Sequence, residues 1–163
     1  GGMGAVYEGI RADAEFHKRV AIKLLRRGVE GELALRRFRY ERQILANLSH
    51  RNVAALLDGG VTDDGQPYFV MEYVDGEPIT THCARRALDV RARVRLLRQV
   101  CAAVQHAHGQ LVVHRDLKPG NVLVDEEGTV KLLDFGIARL LREPDGDDLP
   151  ATQAGARAFT PDY

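Results

Sequence analysis

Neither sign of charge is in excess in this chain of 163 residues, where 23 lysines and arginines face 23 aspartates and glutamates and the formal net charge is zero. That removes the electrostatic footprint expected of non-specific nucleic-acid or anionic-membrane binding, so partners must be recognised locally. Long apolar runs are missing as well. Stretches such as Val53 to Leu57 are far too short to cross a bilayer, and no charged-then-apolar leader opens the chain. The expectation is a soluble, cytoplasmic segment without a membrane span. Cysteine is scarce: Cys83 and Cys101 share no metal or redox spacing, and Cys101 is predicted on the apolar side of a helix, so both read as reduced structural thiols. His106 and His108, one residue apart, have poor metal-ligand spacing. There is no internal repeat, and no G-x-x-x-x-G-K-[ST] stretch that would mark a P-loop nucleotidase.

What is present is a globular balance of 45% apolar and 28% charged residues, with the chemistry concentrated between His114 and Gly136. The short runs Val122-Leu123-Val124 and Val130-Lys131-Leu132-Leu133 flank Asp125-Glu126-Glu127-Gly128, a polar, glycine-ended turn, and predict a β-hairpin. The expected register sets residue 124 near 131 and 122 near 133. Asn121 and Asp134, just outside the ladder, then arrive side by side. One carboxylate and one amide oxygen suit a hard cation such as Mg²⁺, which takes few protein oxygens and fills the rest with phosphate and water. Asp116, five residues before Asn121, adds a second carboxylate beside that volume. Any one of these residues alone reads more simply as a solvated turn; the whole string does not.

His114-Arg115-Asp116-Leu117-Lys118-Pro119-Gly120-Asn121 followed by Asp134-Phe135-Gly136 resembles the catalytic loop and metal-binding triplet of eukaryotic-like (Hanks-type) protein kinases, at that family's separation. Lys118 is similar to the serine/threonine branch, and Gly2-Met3-Gly4 with Thr160-Pro161-Asp162-Tyr163 is similar to its bacterial members. The resemblance implies ATP as co-substrate with Mg²⁺, or alternatively Mn²⁺, and protein serine or threonine hydroxyls as acceptors. It implies that Asp116 orients and deprotonates the hydroxyl, that Lys118 contacts the transferring phosphoryl group, and that Asn121 and Asp134 hold the metal. His114 and Phe135 would align the metal triplet by packing.

The rest of the chain supplies parts for the same frame. Val20 to Leu25 is predicted as a strand with Ala21 and Lys23 on one face. Phe38, Glu41, Leu45 and Leu48 recur at helical spacing, an acid within an apolar stripe, and Lys23 is its natural countercharge. Asn52 to Leu57 and Pro67 to Val74 are predicted as strands around an Asp63-Asp64-Gly65 turn, completing a small antiparallel sheet. Asp89 is expected to cap a long helix whose inward stripe is Val90, Val94, Leu97, Cys101 and Val104, ended by Gly109. Its arginines, Arg91, Arg93, Arg95 and Arg98, are explained by a solvated face. The polar segment after Gly136 is predicted as loop.

By resemblance, Gly1 and Gly4 match the second and third glycines of the phosphate-covering loop, the first being absent. Val6 would cap the adenine above Ala21. Lys23 would pair with the α- and β-phosphates and with Glu41. Met71 would guard the back of the purine pocket, and the backbone of Glu72 and Val74 would bond its edge. Thr160 would contact Asp116 and Lys118; Thr152 is the candidate phosphosite, with Arg115 to receive the phosphate. The implied fold is α+β and two-lobed. Residues 1–74 form the small antiparallel-sheet lobe and the link, and residues 75–163 the first part of a mainly helical, incomplete lobe. The match is expected to be truncated at both ends, short of the family's Ala-Pro-Glu, with any membrane anchor lying beyond residue 163. Alone, these residues are expected to be marginally stable and to have little or no activity, with apolar residues around His114 and Leu117 and one side of the long helix left in water. The alternative is a pseudokinase or nucleotide-binding docking module, against which stand Lys23, Glu41, Asp116, Asn121 and Asp134, all present.

Overall fold

The computed structural model, which describes residues 4–12, 17–25 and 32–135, pairs the first two of these stretches into a sheet. β1 (Gly4–Ala12) and β2 (His17–Leu25) run antiparallel, followed by α1 (Glu32–Ala46), β3 (Leu56–Val61) and β4 (Pro67–Glu72). The sheet order is β1-β2-β4-β3, antiparallel throughout. A second sheet of three short strands, β5 (Gly76–Pro78), β6 (Val122–Asp125) and β7 (Val130–Leu132), lies beside α2 (Ile79–Arg85) and α3 (Val90–Gly109).

Three local expectations are corrected by the structure. The strand predicted at Asn52–Leu57 begins only at Leu56 and runs on through Asp58-Gly59-Gly60, a stretch with turn-like composition. Those glycines serve close approach. A Cβ on Gly59 would lie 3.0 Å from Arg42 Cδ and 3.0 Å from Tyr68 O, and one on Gly60 would lie 2.8 Å from the Tyr68 hydroxyl. Residues 52–55 instead form a connection that pairs with β7 through an isolated parallel bridge, Val53 to Leu132.

The hairpin register is one residue tighter than expected: Val124 faces Val130 and Val122 faces Leu132. Gly128 takes φ +81°, and the Asp125 carboxylate accepts from Thr129 N at 2.7 Å, which closes the turn early. The shift matters because one residue of slip exchanges the two faces of a strand. In the observed register Val122, Val124, Val130 and Leu132 share the buried face, while Leu123 and Lys131 take the other, half-buried one.

α3 begins where expected, with Asp89 Oδ1 accepting from Ala92 N at 2.7 Å. Its inward stripe is Leu96, Val100, Ala103 and Ala107, however, and Val90, Val94, Leu97 and Cys101 are exposed. Both sets repeat at helical spacing. The one containing two alanines lets the helix approach the hairpin closely, and size alone had favoured the other. The expectation of apolar residues in water is met on this face and at Leu117. The left-handed position that closes α3 falls on Leu111, at φ 60°, rather than on a glycine; Leu111 N bonds His108 O and Val112 N bonds Ala107 O, both at 2.9 Å.

A single core cluster runs from Leu25, Phe38 and Phe69, through Val53, to Val100, Val124, Val130, Leu132 and Phe135. Phe38 of α1 meets Phe69 of β4 with ring centroids 4.9 Å apart, and each is almost fully buried. Full burial of such a side chain contributes roughly 1.5–3 kcal/mol. The stripe read in α1 is thus confirmed at Phe38 and Leu45, while Leu48, buried as well, lies two residues beyond the end of the helix. The Glu41 side chain lies outside the described residues, as do Gly1, Thr152, Thr160 and everything after Phe135.

Candidate active site

The loop between α3 and β6 is held by a buried histidine. His114, only 3% exposed, has its Nε2 2.8 Å from Leu133 O, and its Nδ1 accepts from Asp116 N at 3.3 Å. Because a carbonyl can only accept, Nε2 carries the proton and Nδ1 is the acceptor, so the ring is neutral. Burial pushes its pKa below the usual 6.5. The ring also packs on Phe135, centroid to centroid 4.6 Å. One side chain therefore ties the catalytic-loop segment to the strand end that carries Asp134.

Around this anchor the predicted site residues fall into two groups. In the first, Lys118 Nζ lies 2.8 Å from Asp116 Oδ2, and Asn121 Nδ2 donates to both Asp116 O (2.7 Å) and Asp116 Oδ2 (3.0 Å). The ammonium of Lys118, followed by the Asn121 amide, holds the Asp116 carboxyl below its ordinary range. Asp116 is thus an ionised base at neutral pH. Because the Asn121 amide nitrogen is committed to Asp116, its Oδ1 is the group left to face a ligand. In the second group, Lys23 Nζ, reaching from β2, lies 2.5 Å from Asp134 Oδ2. Lys23 is 3% exposed, so its charge needs the countercharge it finds. That countercharge is Asp134; the side chain of Glu41, the expected partner, lies outside the described residues.

The ends of the hairpin join the groups. Leu133 N donates to Asn121 O at 2.9 Å, extending the β6–β7 ladder by one pair and setting Asn121 opposite the residue before Asp134. Arg115 and Asp134 have left-handed φ values of 64° and 60°. Non-glycine residues in that region cost roughly 1–3 kcal/mol each and persist only where surrounding contacts impose them. Here the His114 and Asn121 bonds do so. The donor set available to a cation, Asn121 Oδ1 and the Asp134 carboxylate, is all oxygen, which fits Mg²⁺ or Mn²⁺.

Of the residues expected around the purine, Val6 lies opposite Lys23 across β1 and β2 and is largely exposed. Ala21 lies opposite Met71 across β2 and β4, both half-buried. Gly4 opens β1. Glu72 has its N–H bonded to Ala55 O at 2.8 Å, so of its two backbone groups the carbonyl is the one to consider for a ligand. Its side chain, to which sequence reasoning gave no role, is clasped by Ala55 N (3.1 Å) and by Lys131 Nζ of β7 (2.7 Å). Asn52 and Gln99, also passed over, bond β7. Their sequence context gave little signal: Asn52 follows the polar Ser49-His50-Arg51 and Gln99 follows Arg98, so both read as solvated positions.

Residues 1–162 match the protein kinase domain family. The chain belongs to the protein kinase family. It is 38% identical over its whole length to the serine/threonine-protein kinase PknA of Mycobacterium tuberculosis, spanning 38% of that protein. It is 39% identical, over 86% of the chain, to PrkC of Bacillus subtilis, spanning 22% of it. The crystal structure of the Mycobacterium tuberculosis PknI kinase domain superposes with a TM-score of 0.69 at 32% identity, covering 84% of this chain and 56% of that one. The chain thus spans well under half the length of these two relatives. The kinase fold expected from the catalytic-loop string is present, with an antiparallel-sheet lobe and helices beside it. Among the described residues no helix is long and apolar enough to cross a membrane.

A second histidine of this kinase domain gives a pH dependence. His50 Nδ1 accepts from Asn52 N at 3.1 Å, and its ring lies against His106 of α3, centroids 5.0 Å apart. Burial, then His106, Arg51 and Lys131, all cationic or able to become so, push the His50 pKa below 6.5. His114 shifts the same way. Folding therefore favours the neutral rings. Stability is full above about pH 6.5, where the unfolded imidazoles are also neutral, and falls as pH drops below it, until the folded rings protonate too. Urea midpoints measured from pH 7.5 to pH 5 should decrease, and His50→Gln should reduce the slope. A midpoint independent of pH across that interval would contradict the assignment.

Proposed function

We propose that the protein carrying this chain transfers the γ-phosphoryl group of ATP to serine or threonine hydroxyls of other proteins, in the cytoplasm. The observation that carries the reading is the Asp116–Lys118–Asn121 cluster tied through His114 to the strand end of Asp134, with Lys23 reaching Asp134 from the other sheet. Phosphoryl transfer needs positioning and charge neutralisation more than covalent chemistry, and these residues supply both. The ionised Asp116 accepts the hydroxyl hydrogen and aims its oxygen. Lys118, already beside that carboxylate, meets the negative charge that develops on the phosphoryl oxygens. Lys23 steadies the nucleotide's phosphates, with Glu41 of α1 as its further partner in that state.

Asn121 and Asp134 would hold Mg²⁺ or Mn²⁺, which when bound neutralises the phosphate oxygens. Val6, Ala21, Met71, the Glu72 carbonyl and Val74 would enclose the purine, while Gly1 and Gly4 cover the phosphates. Asn121, Asp116 and Lys118 approach one another from a single 3-10 turn and the loop before it, so the site depends little on long-range flexibility. We divide the chain at the link, with residues 1–74 as the small lobe and 75–163 as the start of the large one. Thr152 remains the proposed phosphosite, paired with Arg115.

The test is transfer of labelled γ-phosphate by the full-length protein to a generic basic protein substrate, followed by phospho-amino-acid analysis. Label on serine and threonine, dependent on divalent metal, is expected; label confined to tyrosine, or none, would overturn the reading. The 163 residues by themselves should transfer little, because α3 presents Val90, Val94 and Leu97 to water.

A further inference from the structure

We propose that Gln99 of α3 is a positioning residue for the metal-holding hairpin. The inference rests on the reading of Asn121 and Asp134 given above. The outer edge of β7 faces away from β6 and, like any strand edge, has backbone groups that need partners. Two side chains and a short connection supply them. Gln99 Oε1 accepts from Val130 N (3.0 Å) and from Asn52 Nδ2 (3.0 Å), while Gln99 Nε2 donates to Gly128 O (2.9 Å). Asn52 Nδ2 donates also to Val130 O (2.8 Å), and the backbone of residues 52 and 54 takes both polar groups of Leu132 at 2.9 Å. The amide can face only this way, since the flipped form would set its NH₂ against the Val130 N–H and the Asn52 NH₂.

Gln99 thus hydrogen-bonds the hairpin turn, the hairpin strand and the connection between α1 and β3 at once. β7 reaches Asp134 two residues after Leu132, and its partner strand begins directly after Asn121. A short, twisted hairpin pinned along one edge moves as a unit, so the angle at which it presents Asp134 and Asn121 is set where Gln99 grips the turn. Without that grip, Gly128 O and Val130 N lose their partners, and the Asn52 amide keeps only Val130 O. The hairpin is then held by Asn52 and by the Leu132 pairings alone.

The test uses the full-length protein. Gln99→Met, similar in length but without the amide, should raise the Mn²⁺ concentration that half-saturates the nucleotide-bound protein by roughly fivefold, the equivalent of one neutral hydrogen bond. Mn²⁺ binding is read by electron paramagnetic resonance rather than by turnover. Nucleotide affinity measured without divalent metal should be unchanged, and hydrogen exchange at the Val130 amide should accelerate. Gln99→Glu, which keeps both acceptor contacts but sets a carboxylate oxygen against Gly128 O in place of the donor, should also raise the half-saturating Mn²⁺ concentration. A lower melting temperature with unaltered Mn²⁺ half-saturation would mean a merely structural role and would overturn the proposal, as would wild-type behaviour throughout. If Gln99→Met does not fold, Gln99→Glu decides by the same criterion. A wild-type protein that binds neither nucleotide nor Mn²⁺ would overturn the functional reading itself, and the inference with it.

Discussion

Asp116→Asn in the full-length protein is expected to lower kcat by about a thousandfold, within the range that a positioned general base contributes, while KM for ATP stays close to wild type. The asparagine is nearly isosteric. The bond from Asn121 Nδ2 to the backbone oxygen of residue 116, at 2.7 Å, does not involve the altered group, and His114 still accepts from the residue 116 N–H. The loop therefore keeps its shape. What is lost is a carboxylate held ionised chiefly by Lys118, and with it the acceptor for the hydroxyl hydrogen. Steady-state kinetics with a serine-containing protein substrate, together with a melting curve, separates this from unfolding. A folded variant whose kcat remained within about tenfold of wild type would remove Asp116 from the chemistry.

Phe69→Ala is expected to cost about 3–5 kcal/mol of stability, the sum of lost transfer energy and the cavity left behind. Phe69 is fully buried in the middle of β4, packed on Phe38 of α1, and directly opposite Lys23 in the β2–β4 register. Since a domain's whole stability is roughly 5–15 kcal/mol, the loss is a large fraction of it. The same change loosens the seat of α1 beneath Lys23, so KM for ATP should rise in whatever fraction remains folded. Urea unfolding of the full-length protein measures the first effect. A loss below about 1 kcal/mol, well short of the usual cost of such a truncation, would mean that the two rings do not share a core.

The parts of the site that could be read without coordinates are those that lie close in sequence. Asp116, Lys118 and Asn121 span one loop and a single 3-10 turn, and their spacing is itself the geometry. The β6–β7 hairpin was legible for the same reason, since its turn composition announces it. Its register was not, because whether Gly128 or Thr129 ends the turn depends on the Asp125 carboxylate capping Thr129 N, a side-chain choice that composition leaves open. The inward face of α3 was misread between two stripes of equal period. Only the shape of the surface it meets selects Leu96, Val100, Ala103 and Ala107 over the larger set.

The resemblance of the strings from His114 to Asn121 and from Asp134 to Gly136 to kinase motifs was enough to indicate the protein kinase family and the α+β class, both borne out by the family match and the solved kinase domains. Tertiary packing alone decided that Lys23 meets Asp134, that the Glu72 side chain is clasped from β7, and that Asn52 and Gln99 satisfy the outer edge of that strand. The reason is physical: each of these contacts joins segments between about 30 and 110 positions apart, and a buried polar group takes whichever partner the fold brings within reach, because leaving it unpaired costs more than any local preference.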